Sequence, residues 1–375
     1  MSKQDQIRGC MVGGAVGDAL GYAVEFDSEG TIFAKYGQSG ITAYEPDRKS
    51  GKAIISDDTQ MALFTANGLL AGDTHRALHG TQGKPRGYVA KAYQDWLRTQ
   101  EMPFETGSKQ ERVSWLCDVP ELYIRRAPGN TCLSALDKQK RKPEEIDDYI
   151  RNIQINSKGC GGVMRIAPLA LAYTDYDIRE LDLEGAQIAA ITHGHSLGYM
   201  PAAVLTHVIH RIVFGEEKTP LQDIVMEAMY TVGEIFRDDA HIGELTDLID
   251  LAVRLAENGK PNLENIHRLG EGWVGDEAMA IALYCALRYE DDFSAGVIAA
   301  VNHKGDSDST GAIAGNILGA IHGFNAMEKK WKTNLELMDV ILEISDDLCH
   351  GCRMSEDGQL RDPEWTRKYV HMRRI

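Results

Sequence analysis

Two acidic clusters, Asp57-Asp58 and Asp306-Ser307-Asp308, lie near opposite ends of the chain, each where a Gly- or Ser-containing loop runs into an apolar helical stretch. Helical neighbours sit three and four residues apart, so carboxylates at adjacent positions or two apart cannot share a face inside a helix. They belong at loop ends. A helix N-terminus favours ionised carboxylates and prepares them for a cation. Oxygen donors of this kind suit Mg2+, Mn2+ or Ca2+ rather than zinc. Ser56 and Thr59 beside one cluster, with Ser309 and Thr310 beside the other, add neutral oxygen donors. Taken singly, each cluster is equally readable as a set of plain helix caps. Taken together, they read as two halves of one metal site.

Three further constellations carry possible chemistry. Gly13 to Gly21 is rich in small residues, with Glu25 just beyond. Small residues let helices approach closely, and with no clear strand before it the stretch is not a dinucleotide fingerprint. The loop Asn156 to Arg165, with Gly159, Gly161 and Gly162, leads into the apolar run Ile166–Tyr173. Its backbone N–H groups could close on phosphate oxygens, although it lacks the Gly-Lys-Ser/Thr ending of a P-loop. Gly194-His195-Ser196-Leu197-Gly198 fits the G-x-S-x-G elbow of a serine esterase, with Ile188–Thr192 as the strand before it. The chain lacks the strand–helix alternation and the His-Gly-Gly segment that such an elbow requires. His193 and His195 then read as ligand-contacting or capping residues.

The elements that must position these residues are helices. Leu245, Leu248, Ile249, Ala252, Leu255 and Ala256 follow the i, i+3, i+4 template, as do Ile224–Ile235, Val89–Trp96 and Leu337–Leu348. Strand signals are confined to short pieces at Ile41–Glu45 and Ala53–Ser56. The fold class is therefore all-α, and residues 1–330 are expected to form one domain, with a C-terminal helix and basic tail, 331–375, packed on it. Lys138–Asp148 and Gly215–Pro220 read as surface loops, and Ser355 to Ile375 as a polar surface wrap.

A chain of 375 residues with 43% apolar content can bury a large core unaided. Its formal net charge of −16 argues against a nucleic-acid or anionic-membrane surface. Seven scattered cysteines, an odd number, point to a reducing cytoplasm rather than a disulfide framework. No apolar run approaches a membrane span. Cys349-His350-Gly351-Cys352 has the spacing of half a zinc site, without a second pair after it.

In order along the chain, Gly17-Asp18-Ala19-Leu20-Gly21 with Glu25, Ser56-Asp57-Asp58-Thr59, Gly159–Arg165, Thr192-His193 with Leu197-Gly198, and Gly305–Ser309 resemble the motifs of the ADP-ribosylglycohydrolase family. The similarity extends from about Ile7 to Phe324. The resemblance implies an orthogonal all-α bundle with a cleft for two Mg2+ ions, for which Mn2+ could substitute. The ligands it implies are Ser56, Asp57, Asp58, Asp306, Asp308 and Ser309. Asp57, Asp58, Asp306 and Glu25 would serve catalysis, while Gly159, Cys160, Gly161, Gly162, Met164 and His193 would contact ADP-ribose. The implied reaction is hydrolysis of the N-glycosidic bond of a mono-ADP-ribosylated protein, with arginine as the expected linkage and an ADP-ribosylating toxin as a conceivable partner. Two departures stand out: serine where the family often has threonine at Ser56 and Ser309, and Cys160 where it often has asparagine. A non-catalytic ADP-ribose- or toxin-binding protein is the alternative, and retention of all four aspartates favours the enzyme.

Overall fold

A computed structural model describes residues 1–80, 83–141, 146–174, 176–215, 218–354 and 362–370. Its centre is a pair of helices, Lys3–Tyr22 and Ser307–Ala326, which make the most extensive helix–helix contact of the fold. The reason is in the glycines. A Cβ added at Gly13 would fall 2.2 Å from the Gly315 carbonyl oxygen, and one at Gly17 would fall 1.9 Å from that of Gly311. Gly9 meets Gly319 and Gly21 meets Ser307 in the same way, both at 2.2 Å. The small-residue stretch near the N-terminus is thus a seam in which two backbones touch.

Helices Gly275–Arg288 and Phe293–Val301 pack against Ser307–Ala326, and Met338–His350 packs against Lys3–Tyr22. Asp57–His79 with Pro85–Glu101, and Ile178–Ala190 with Ser196–Phe214, form the outer pairs. Among the described residues there is no strand, so the fold is all-α. Contrary to the expectation that no apolar run approaches a membrane span, Ser196–Phe214 has the length and composition of one, but 83% of its most apolar window is buried inside the fold. It is a core helix.

The periodic faces read from sequence are the ones that bury. Val89, Tyr93 and Trp96 are fully buried on Pro85–Glu101, and Leu245, Ile249, Ala252 and Leu255 are buried on Ile242–Ala256. Three local expectations fail. Ile41–Glu45 and Ala53–Ser56 are not strands: no ladder partner lies alongside, and a lone bridge joins Ala53 to Leu335. The first part of Lys138–Asp148 is helical, because the helix Asn130–Arg141 runs into it; residues 142–145 lie outside the described residues. The tail is more than a surface wrap where it is described. Trp365 and Tyr369, one turn apart, are buried, with the Trp365 indole donating to Thr74 Oγ1 at 2.9 Å and the Tyr369 hydroxyl to Asp347 at 2.7 Å.

Candidate active site

The acidic site forms at the end of the glycine seam, where the N-termini of Asp57–His79 and Ser307–Ala326 meet. Ser56 caps the first helix, its hydroxyl accepting from the Asp58 N–H at 3.1 Å. Asp306 caps the second, accepting from the Ser309 N–H at 3.3 Å. The plain-cap reading is therefore right for Asp306 and incomplete for the cluster. Gly305, at φ +119 and against the Glu271 carbonyl, provides a turn only glycine fits. It delivers Asp306 to the acidic cluster.

Glu25, Asp306 and Asp308 each offer a carboxylate oxygen within 4.8 Å of the others, and all three residues are buried. Asp57 and Asp58 lie close enough to feel the charge of Asp306. Burial first, then the charges of Asp306, Asp57 and Asp18, push Glu25 up to about 8. Burial also pushes Asp57 up to about 8, with Asp18 and Asp306 adding to it against the Gly129 N–H, which pulls it down. Asp58 and Asp308 are held well above the ordinary carboxylate range, first by burial and then by the surrounding aspartates. Glu25 Oε2 and Asp58 Oδ2 are buried without a hydrogen-bond partner. Orphaned buried carboxylate oxygens are costly unless something else satisfies them. A divalent cation satisfies several at once, so this donor set fits one.

The glycine loop closes one wall. Cys160 Sγ donates to Asp306 Oδ2 at 2.6 Å, and Ser309 Oγ contacts Cys160 Sγ at 3.5 Å and Met164 Sδ at 3.7 Å. A Cβ on Gly159 or Gly161 would strike the His193 ring, at 3.2 and 2.8 Å. His193 therefore packs against the loop; burial, then Arg165, pushes it down to about 3, which keeps it neutral. A Cβ on Gly162 would strike the Gly198 carbonyl and Ala189 instead. The Gly159 N–H donates to Ser157 Oγ and the Cys160 N–H to the Trp273 carbonyl, so two amide donors of the loop are spent inside the protein.

Two positioning residues went unassigned in the sequence reading. Asp18, fully buried in the first helix, accepts from the backbone N–H of Ser56 and Thr59 and from the Thr59 hydroxyl. It ties the seam to the turn that carries Asp57 and Asp58. A carboxylate interrupting an apolar helical stretch was the available signal. Arg165, also fully buried, donates to Thr192 Oγ1 at 2.6 Å and stacks over Tyr93 with its guanidinium carbon 4.4 Å from the ring centre. It fixes the Thr192-His193 segment behind the loop.

The serine elbow is absent. Ile188–Thr192 is the end of a helix and a turn, Ser196 opens the next helix with its hydroxyl on Asp239 at 2.6 Å, and His195 Nδ1 accepts from the Leu197 N–H. His195 caps a helix and does not activate Ser196.

The sequence pattern of the ADP-ribosylglycohydrolase family matches residues 1–358. The chain belongs to that family. The match extends past the Ile7–Phe324 segment marked by the motifs. The chain is 25% identical over 348 residues to the ADP-ribosyl-[dinitrogen reductase] glycohydrolase of Rhodospirillum rubrum, covering 90% of this chain and 92% of that protein. It is 26% identical over 365 residues to the human ADP-ribosylhydrolase ARH3, covering 88% of this chain and 89% of that one. A solved structure titled ADP-ribosylglycohydrolase-related protein complex superposes with a TM-score of 0.61 over 93% of this chain and 98% of its own, at 24% identity, and supports the fold. Membership supports ADP-ribosyl hydrolase activity for this chain.

Proposed function

We propose that this protein is a Mg2+-dependent hydrolase that removes ADP-ribose from arginine side chains of modified proteins. One observation carries the reading: the buried carboxylates of Glu25, Asp306 and Asp308 converge, Asp57 and Asp58 lie close enough to feel the charge of Asp306, and two of the oxygens in this group are orphaned. Asp57, Asp58, Asp306 and Asp308, with the hydroxyls of Ser56 and Ser309, are the residues that would hold the cations. Bound there, a pair of divalent cations, Mg2+ or Mn2+, would supply positive charge for holding vicinal ribose hydroxyls and for acidifying a water.

The chain's own groups do the rest. Glycosidic cleavage passes through an oxocarbenium-like state, and ionised aspartates beside the bound ribose would stabilise that developing positive charge. Water adds its oxygen to the anomeric carbon, and the guanidine leaves with the bonding pair and takes up a proton. Glu25, buried beside the aspartates and unpartnered at Oε2, is the carboxyl placed to hold or pass that proton. Met164 and the Gly159–Gly162 loop, with His193 packed against it, form the wall for the nucleotide. Such an activity would reverse the work of an ADP-ribosylating toxin, and seven unpaired cysteines fit a reducing compartment such as the cytoplasm.

Purified protein incubated with arginine-linked and with serine-linked ADP-ribosyl substrates, in Mg2+ or in EDTA, should release free ADP-ribose from the arginine conjugate in Mg2+ only. Release from the serine conjugate alone would overturn the linkage, and equal release in EDTA would overturn the metal.

A further inference from the structure

Mg2+ sites are built from hard oxygen donors, yet one face of this acidic centre is sulfur. Cys160 Sγ lies 2.6 Å from Asp306 Oδ2, and Ser309 Oγ touches both Cys160 Sγ and Met164 Sδ, at 3.5 and 3.7 Å. Thiolate and thioether donors are soft and favour Zn2+, Cd2+ and related ions over Mg2+. The thiol does not stand alone. Asp58 Oδ2 and Glu25 Oε2, on residues 3% and 9% exposed, are unpartnered; burial first, then Asp306 and Asp58, push the Cys160 thiol well up, so it gives up its proton only to an entering cation.

We propose that Cys160, with Met164 beside it, makes this centre a capture site for a soft divalent cation such as Zn2+ or Cd2+, in competition with Mg2+. Capture breaks the S–H bond, forms a sulfur–metal bond and releases the proton to the buffer; Asp306, relieved of its thiol donor, becomes a second ligand to the same ion. The inference rests on the reading that the acidic centre binds divalent cations at all.

Chelator-stripped protein titrated with Co2+ separates the two. The expected spectrum has the weak visible ligand-field bands of bound cobalt together with a near-ultraviolet sulfur-to-cobalt charge-transfer band. Cys160→Ser should abolish the charge-transfer band and keep the ligand-field bands, while a Cys349→Ser/Cys352→Ser double variant should keep both. On the wild-type protein, 113Cd2+ should give a resonance shifted downfield into the range of sulfur-ligated cadmium, and excess Mg2+ should diminish it. This second readout does not depend on any variant folding. Ligand-field bands without a charge-transfer band, or a charge-transfer band that survives Cys160→Ser, would overturn the sulfur inference and leave the cation site standing. No cobalt bands together with no Mn2+ binding by paramagnetic resonance would overturn both.

Discussion

The glycine seam and the acidic cleft are both buried, and the second is built on the end of the first, yet they are stabilised in opposite senses. Along the seam, backbone meets backbone from Gly9 to Gly21 with no room for a methyl group. At the cleft, five carboxylates crowd together, two of their oxygens have no partner, and burial holds protons on groups that would ordinarily be ionised. Close packing rewards the fold at every contact. Unsatisfied polar burial costs it, and proteins retain such sites where function requires them. Asp18 marks the border: it lies on the seam helix but spends its carboxylate on the turn that carries Asp57 and Asp58.

If that contrast holds, seam variants lose the fold and cleft variants lose turnover. Gly17→Leu places side-chain atoms against the Gly311 carbonyl, where even a Cβ would be 1.9 Å away. It should cost about 3 kcal/mol or more, leaving no cooperative urea transition or one at much lower denaturant. A wild-type midpoint would break the seam side of the comparison. Asp306→Asn is the counterpart. Asparagine caps a helix as well as aspartate does, so urea stability should be unchanged or raised by removing one charge from the cluster, while turnover falls on the order of 100-fold or more. A variant that unfolds and stays active when folded would reverse the assignment.

The pH dependence of the metal-free protein sharpens the same point. Glu25 and Asp57 are pushed up to about 8 from ordinary values of 4.5 and 3.8. Between those limits the folded chain binds more protons than the unfolded chain, so their contribution is fully present below the ordinary values and is lost as pH rises through about 8. In EDTA, the thermal midpoint should fall more steeply between about pH 5 and 8.5 in wild type than in Asp57→Asn, and Mg2+ should recover it at the upper end. Parallel slopes for the two proteins would remove Asp57 from the account.

The smallest effect is expected outside both regions. Ser196→Ala loses its hydrogen bonds to Asp239 and Tyr199, worth about 1 kcal/mol each, and should leave ADP-ribose release at the wild-type rate. A large loss of turnover would reopen the serine reading.

The parts of this molecule that were legible in the sequence are those where one short segment carries its own signal. Asp57-Asp58 and Asp306-Ser307-Asp308 are visible because adjacent carboxylates cannot share a helix face. The core faces of Pro85–Glu101 and Ile242–Ala256 are visible because periodicity is local. What stayed hidden depends on partners distant in sequence. Asp18 interrupts an apolar run until Ser56, 38 positions on, is seen to donate to it. Ala53–Ser56 has strand composition, but the fold offers it one bridge and no ladder. Trp365 and Tyr369 sit in a polar, basic tail whose composition conceals that both insert beside Thr74 and Asp347.

The most direct test of the account is a calorimetric titration of Mg2+ into EDTA-stripped protein and into its Asp306→Asn variant. The account predicts saturable binding of about two ions per chain in wild type, and loss or strong weakening of that binding in the folded variant. No binding in wild type, or the same isotherm in both, would contradict the claim that these converging carboxylates are a cation site.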